Sequence, residues 1–105
     1  FLYMKNTYID FLAIKNQLKS KILNILQDLL PNGQKQGIEY LAYNPKRIDK
    51  KLGSFKINIA TGKWADFATN HKGGDIISLY AYVKNIQQLQ AAKELKKIYL
   101  GGSND

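Results

Sequence analysis

The chain has 105 residues, a formal net charge of +8 at pH 7 and no cysteine. This length fits a single domain, and the missing cysteines exclude a disulfide scaffold, a thiolate nucleophile and any zinc site built on sulfur. The sequence has no apolar run long enough for a transmembrane helix and no signal-peptide pattern in its first residues, so we expect a cytoplasmic protein without a membrane partner. The positive charge predicts a polyanionic partner, although surplus lysine also serves solubility alone.

A long amphipathic helix is predicted near the N-terminus, over residues 7–31. Thr7 and Asp10 suit its start, and Pro31 suits its end. Apolar side chains recur along it at spacings of three and four, at Phe11, Ile14, Leu18, Ile22, Ile25 and Leu29. This spacing places them on one helix face, which is free to pack on the rest of the chain or on a partner.

Residues 37–85 are predicted to form a small antiparallel sheet and its connections. β-Branched and aromatic residues indicate about three strands, at 38–43, 54–59 and 63–68. A basic loop without periodicity joins the first two strands. The last two form a hairpin around Ala60-Thr61-Gly62, with the glycine in the left-handed conformation.

The register of this hairpin decides which aromatic side chains are buried. With a three-residue loop, Phe55 lies opposite Phe67 on the core face, and Lys56 lies opposite Asp66 on the polar face. Trp64, the only tryptophan, then also lies on the polar face. A register shifted by one residue would bury Trp64 and expose both phenylalanines, which is the less favourable pattern.

Two helices are predicted after the sheet. Asp75 is a suitable N-cap for the first, which runs to about Lys84 and ends at Asn85. The second lies within 86–100, and residues 101–105 form a flexible tail. The whole chain is therefore expected to be one α+β domain, in which a small antiparallel sheet packs with a long N-terminal helix and two C-terminal helices.

The sequence offers little for catalysis or metal binding. The acidic residues are scattered, His71 is the only histidine, and no serine has the surroundings of an activated nucleophile. We therefore expect neither a catalytic centre nor a cofactor in this chain.

Positive charge is concentrated in the middle of the chain. Residues 33–74 contain eight cations and three acids, a balance of +5. Aromatic residues are interleaved with these cations, and such a surface suits single-stranded nucleic acid because bases stack on rings while phosphates contact cations. The candidate binding residues are Lys46, Arg47, Lys50, Lys51, Lys56, Lys63, Trp64 and Lys72. For Tyr40 and Tyr43, a position on this surface and a position packed beneath the N-terminal helix are equally favoured.

A pair of glycines precedes the first C-terminal helix, in the stretch His71-Lys72-Gly73-Gly74-Asp75. Paired glycines can let a backbone approach a phosphate at a helix start. The spacing matches neither a Walker loop nor a dinucleotide fingerprint, and Asp75 would repel a phosphate. The favoured interpretation is a tight strand-to-helix turn that Asp75 caps.

Several short motifs occur here in a distinctive order: Asn44-Pro45, then Ser54-Phe55, then Lys72-Gly73-Gly74-Asp75 with Ile77-Ser78. From Asn44 to about Leu95, the sequence resembles the N-terminal zinc-binding domain of bacterial and phage DNA primases and primase-helicases. In that family a Cys-Pro-x-His corner precedes a Ser-Phe strand, and a Cys-x-x-Cys pair leads into Gly-Lys-Gly-Gly-Asp and a helix. The motifs are specific in combination, whereas a lone Gly-Gly-Asp would mean little.

All four zinc ligands of that family are replaced in this chain. The resemblance aligns the four ligand positions with Asn44, Arg47, Phe67 and Asn70. The resemblance therefore implies a zinc-ribbon-like domain without zinc, in which apolar packing of Phe55 and Phe67 replaces the metal.

The resemblance also implies a function. It indicates a non-catalytic module that recognises single-stranded template DNA during DNA replication, in a primase or primase-helicase of a phage or mobile element. Two alternatives stay open. One is an adaptor whose N-terminal helix docks a helicase, a primase catalytic domain or a second copy of the chain. The other is a gene product that folds but keeps no activity.

Overall fold

A computed structural model of the protein describes residues 10–46, 48 and 52–101. Within this part of the chain the fold is α+β, as predicted, with four α-helices and a five-stranded antiparallel sheet. The helices are α1 (Phe11–Leu18), α2 (Ile22–Leu29), α3 (Ile76–Lys84) and α4 (Gln88–Tyr99). The strands are β1 (Gln34–Gln36), β2 (Glu39–Ala42), β3 (Phe55–Asn58), β4 (Trp64–Asp66) and β5 (His71–Gly73).

The predicted N-terminal helix is buried along the expected face from Ile14 to Ile25, but Phe11 is 40% exposed and the helix is divided in two. Asp10 is the N-cap of α1, and its side chain accepts a hydrogen bond of 3.0 Å from the backbone N–H of Ala13. A 3₁₀ turn at Lys19–Lys21 separates α1 from α2, at a point where Ser20 is a weaker helix former than the flanking lysines. Thr7, expected at the helix start, lies outside the described residues. The buried stripe continues across the turn through Ile14, Leu18, Ile22, Ile25 and Leu26.

The five strands are neighbours in the order in which they occur along the chain. The three predicted strands are present as β2, β3 and β4. The two additional strands, β1 and β5, are only three residues long. All three residues of β1 are exposed, so this strand lacks the apolar alternation that predicts a strand from sequence.

The β3–β4 hairpin differs from the predicted register by one residue. Phe55 lies opposite Asp66, and Ile57 lies opposite Trp64. Phe55 is fully buried as predicted, but Trp64 and Asp66 are also buried, with 5% and 0% of their surfaces exposed. Phe67 is 66% exposed. The predictions that Phe67 packs in the core and that Trp64 and Asp66 lie on the polar face are therefore wrong.

The cause of this shift is the hairpin loop, which contains four residues (59–62) instead of three. The Asn58 side-chain oxygen accepts hydrogen bonds from the backbone N–H groups of Ala60 at 2.8 Å and Thr61 at 3.0 Å. The Asn58 backbone N–H donates to the Lys63 carbonyl at 2.7 Å and closes the loop. Gly62 is left-handed, as predicted, with φ of 82°. Because side chains alternate between the two faces of a strand, one extra loop residue moves every β4 side chain to the opposite face.

The two C-terminal helices agree with the predictions. Asp75 and Ser78 form a reciprocal capping box at the start of α3, in which the Ser78 backbone N–H donates to the Asp75 carboxylate at 2.8 Å. Asn85, the C-cap of α3, is left-handed with φ of 58°. The inner face of α4 is formed by Ala91, Ala92 and Leu95.

The helices and one face of the sheet enclose a common core. The sheet contributes buried side chains such as Tyr40, Phe55 and Ile57, and α3 contributes Ile76 and Leu79. On the opposite, outer face of the sheet, Lys56 and Ala65 are half-buried and Lys72 is exposed. None of the described helices combines the length and apolar character that are needed to cross a bilayer.

Candidate nucleic-acid interface

The outer face of the sheet carries a cross-strand row with two lysines. Leu41, Lys56, Ala65 and Lys72 lie in register on four adjacent strands. Adjacent strands are about 4.8 Å apart, so the backbones of Lys56 and Lys72 are separated by about 10 Å. Because the side chain between them is only that of Ala65, the surface between the two lysines is open.

Lys63 and Phe67 flank this row on the same face. The Phe67 backbone N–H donates to the Ser54 carbonyl at 2.8 Å, which holds the backbone of this exposed residue just beyond the end of β4. The Lys56 Nζ atom lies 5.9 Å from the centroid of this ring. A shallow depression of about 680 Å³ is lined by Lys56, Lys63, Lys72 and Phe67, and Glu39 is the only acidic residue among its described lining. The outer face therefore combines an accessible aromatic ring with an excess of positive charge.

Trp64 also lines this depression, but it belongs to the core, with only 5% of its surface exposed. Its Nε1 atom donates a hydrogen bond of 2.9 Å to the Ser78 hydroxyl. Its ring contacts Phe55 edge to face, with the centroids 6.1 Å apart, and lies 4.7 Å from the ring of Tyr82. The indole is therefore held on several sides and is not available as a stacking platform.

Of the two glycines before α3, only Gly73 is explained by packing on Trp64. A Cβ atom at Gly73 would lie 2.4 Å from Trp64 Nε1 and 2.5 Å from Ser78 Oγ, so only glycine fits there. A Cβ atom at Gly74 would meet nothing within 4 Å. Together with the capping box of Asp75, this geometry agrees with the predicted strand-to-helix turn, because the first turn of α3 is already occupied by the Asp75 carboxylate.

The two tyrosines of the β2 region have different environments. Tyr40 is 2% exposed and donates a hydrogen bond of 2.7 Å to the Leu30 carbonyl, so it packs beneath the N-terminal helix. Burial raises the pKa of Tyr40 above its ordinary value. Tyr43 is 39% exposed and lines a small pocket with Leu30 and Pro45, away from the lysine row.

A second depression lies on the other side of β5, and we call it the amide groove. Its volume is about 780 Å³, and it lies between β5 and the junction of α3 with α4. Its cations are Lys46 and Lys72, and the described residues that line it include no acid. Four amide side chains line it, those of Asn70, Asn85, Gln87 and Gln88.

A buried hydrogen-bond network lies beneath the amide groove. Asn44 is 1% exposed, and its Nδ2 atom donates to Asp66 Oδ2 at 2.7 Å and to Tyr82 Oη at 2.9 Å. Tyr82 Oη also lies 2.8 Å from His71 Nδ1, and the Lys46 Nζ atom lies 4.5 Å from the centroid of the Tyr82 ring. The network thus connects the turn after β2, the end of β4, the start of β5 and α3.

These residues do not fit a zinc ion. The chain has no cysteine. Nor do the described residues include any group of three or more histidine, aspartate or glutamate side chains that could hold a metal. Of the residues that the resemblance aligns with zinc ligands, Asn44 is buried in the network, whereas Phe67 and Asn70 are exposed. Hydrogen bonds and ring packing, and not the expected Phe55–Phe67 contact, hold this region together.

The structure divides the predicted binding residues between two surfaces. Lys56 and Lys63 lie on the outer face, Lys46 borders the amide groove, and Lys72 borders both. The predicted residues Arg47, Lys50 and Lys51 lie outside the described residues. Sequence reasoning missed Phe67 as an exposed ring and missed the amide groove. The turn at Asn58 could have revealed the exposed Phe67 ring, because this turn sets the register of β4. No local sequence signal predicts that the four amide side chains lie together.

Comparison with known proteins does not identify a family for this chain. No protein-family model matches it, and no curated protein sequence matches it. Its function is therefore inferred from its own sequence and geometry.

Proposed function

We propose that this chain is a non-catalytic module that binds single-stranded nucleic acid on the outer face of its sheet. Lys56, Lys63 and Lys72 contact backbone phosphates, and Phe67 stacks on an unpaired base. The observation that carries this proposal is the exposed Phe67 ring, which lies 5.9 Å from Lys56 Nζ on a face with three lysines and one glutamate.

A single strand fits this surface better than a duplex. Stacking on a side chain requires an unpaired base, and base–aromatic stacking contributes about 1–3 kcal/mol per base. A duplex hides its base faces, and proteins that read its major groove insert a helix or a two-stranded ribbon. The outer face offers a shallow depression that is lined by three lysines and one largely exposed ring, which suits an extended strand.

We further propose that the strand is template DNA in replication, in a cytoplasmic, primase-like protein of a phage or mobile element. The resemblance to primase zinc-binding domains suggests this, and two observations support it. The Lys72–Asp75 motif forms a strand, a turn and a capped helix. The Asn44–Asp66–Tyr82–His71 network also joins segments at or beside the replaced ligand positions, where a metal would otherwise connect them.

The experiment that tests the binding proposal removes the three lysines together. The Lys56→Ala, Lys63→Ala, Lys72→Ala variant should bind single-stranded DNA at least about tenfold more weakly at low salt, and its log–log salt slope should decrease by about 2. The matched control removes the same charge from exposed helix positions, Lys19→Ala, Lys93→Ala and Lys97→Ala. Equal losses in the two variants would show that only net charge matters and would refute a binding site on the outer face.

A second candidate function is suggested by exposed apolar side chains on the helices. On α1, Phe11 is 40% and Leu12 is 65% exposed, and on α4, Ile98 is 60% exposed. Such residues suit an adaptor that docks a helicase or primase domain, or a second copy. Sedimentation of the wild type and of Leu12→Ser at high salt distinguishes this function. An oligomer that the substitution dissociates, in a protein without affinity for DNA, would favour the adaptor.

A further inference from the structure

The amide groove contains an unusual set of unengaged hydrogen-bonding side chains. Asn70, Asn85, Gln87 and Gln88 are all exposed. Within the described chain their side-chain amides make no hydrogen bonds, and Asn70, Asn85 and Gln87 take part only through backbone groups. Each amide offers both donors and an acceptor. Four of them around one groove supply a mixed pattern: a phosphate, which only accepts hydrogen bonds, would use their N–H donors and leave their oxygen acceptors without a partner.

The chemistry of the groove matches the edge of a nucleobase. Asparagine and glutamine are the side chains that pair with base edges through one donor and one acceptor. Unpaired bases of a single strand expose their Watson–Crick edges to such contacts. The groove also has a positive balance, because Lys46 and Lys72 line it and no acid of the described residues does. A neutral base that is attached to an anionic backbone satisfies both features.

The groove is continuous with the outer face of the sheet. Lys72 lines both depressions, and β5, which carries Lys72, is the strand at that edge of the sheet. Gly73 and Gly74 follow directly and have no side chains to obstruct a crossing strand; the space at Gly74 is open. A polynucleotide on the lysine row can therefore continue over the edge at Lys72 into the groove.

We propose that the amide groove is a base-selective subsite of the same single strand, in which Asn85 and Gln88, with Asn70 and Gln87, read the edge of one base. This inference rests on the proposed function. Under it, the two surfaces have separate roles: the outer face supplies affinity that is independent of sequence, and the groove supplies preference among bases.

The test compares homopolymeric dA, dC and dT strands of equal length. The wild type should bind one of them about tenfold more tightly than the weakest, since one paired base edge discriminates by roughly this factor. The variant Asn85→Gly, Gln88→Ala should lose this preference and bind all three like the weakest, with an unchanged salt slope. Glycine tolerates the left-handed φ of 58° at position 85, and residue 88 is exposed, so the fold should be preserved. Unchanged unfolding midpoints verify this.

The matched control removes two exposed amides far from the groove along the chain, Gln17→Ala and Asn24→Ala, and should retain the preference. If the wild type binds all three strands equally, or if the preference survives in the groove variant, the groove does not read bases, while the binding function of the outer face stands. If no strand binds at all, both the proposed function and this inference fail.

Discussion

The Nδ2 atom of Asn44 lies 2.7 Å from Oδ2 of Asp66, and both side chains are buried. The other carboxylate oxygen accepts a hydrogen bond of 2.9 Å from the Ala68 backbone N–H. Asp66 therefore joins the turn after β2 to the turn after β4, across 22 residues of sequence. A buried carboxylate is tolerated only when such donors surround it.

The first prediction concerns this contact. Asn44→Ala should lower the free energy of unfolding by about 2–3 kcal/mol, because a buried carboxylate loses a hydrogen-bond donor. Denaturant unfolding measures the change. The control is Asn24→Ala at an exposed position of α2, which should stay within about 0.5 kcal/mol of the wild type. Equal midpoints for the two variants would show that the Asn44–Asp66 contact does not stabilise the fold.

The second prediction compares the two glycines of the strand-to-helix turn. Gly73→Ala should destabilise the protein by about 1–3 kcal/mol, because the new Cβ atom would overlap Trp64 and Ser78. Gly74→Ala should have little effect, because the space around Gly74 is open. Thermal unfolding of the two variants side by side measures the difference. If Gly74→Ala were the more damaging change, the packing of β5 on Trp64 would be misassigned.

The third prediction separates the two aromatic residues at the ends of the β4 region. Trp64→Ala should cost about 3–5 kcal/mol of stability, because it leaves a cavity in the core. Phe67→Ala should cost less than about 1 kcal/mol, because its ring is largely exposed. In DNA-binding assays under native conditions, Phe67→Ala should weaken the affinity for DNA more than Trp64→Ala does, when the affinity is expressed per folded molecule. If Phe67→Ala unfolded as readily as Trp64→Ala, Phe67 would be a core residue. That result would favour the register predicted from the sequence, with Phe67 opposite Phe55, over the register described here.

Much of the fold follows from local sequence signals, whereas the site does not. The caps at Asp75 and Asn85 are local features that correctly predict the ends of α3, and Gly62 is left-handed as predicted, although its loop is one residue longer than predicted. The register of the β3–β4 hairpin depends on a single loop residue. The turn at Asn58 adds this residue, so the observed register differs from the one that the apolar side chains favour. The Asn44 network joins residues that are 22 and 38 positions apart, and no periodicity predicts such contacts.

The fourth prediction concerns alkaline pH. Burial, together with a hydrogen bond of 3.0 Å to Glu94, raises the pKa of Tyr80 from 10.0 to about 12. Between these values the folded protein holds a proton that the unfolded chain has lost, so stability is unaffected below pH 10 and falls as the pH rises towards 12.

Tyr80→Phe removes this contribution and should make the loss of stability with pH shallower. Some dependence should remain, because burial and the Asp28 carboxylate also raise the pKa of Tyr99. Urea unfolding at about pH 8 and about pH 11 measures both proteins on either side of the ordinary tyrosine pKa. An identical pH dependence in the two proteins would show that Tyr80 is not buried as described.

The most direct test of the central claim places a fluorescent reporter on the outer face of the sheet. In Phe67→Trp the introduced indole takes the exposed position, while the buried Trp64 provides a background that the wild type measures separately. Titration with a single-stranded oligodeoxynucleotide should quench the emission of Phe67→Trp in a saturable manner that weakens steeply with salt, and by more than it changes the wild type, whose Trp64 is 5% exposed. If labelled DNA binds Phe67→Trp and the introduced indole does not respond, the strand lies elsewhere and the outer face is not the binding surface.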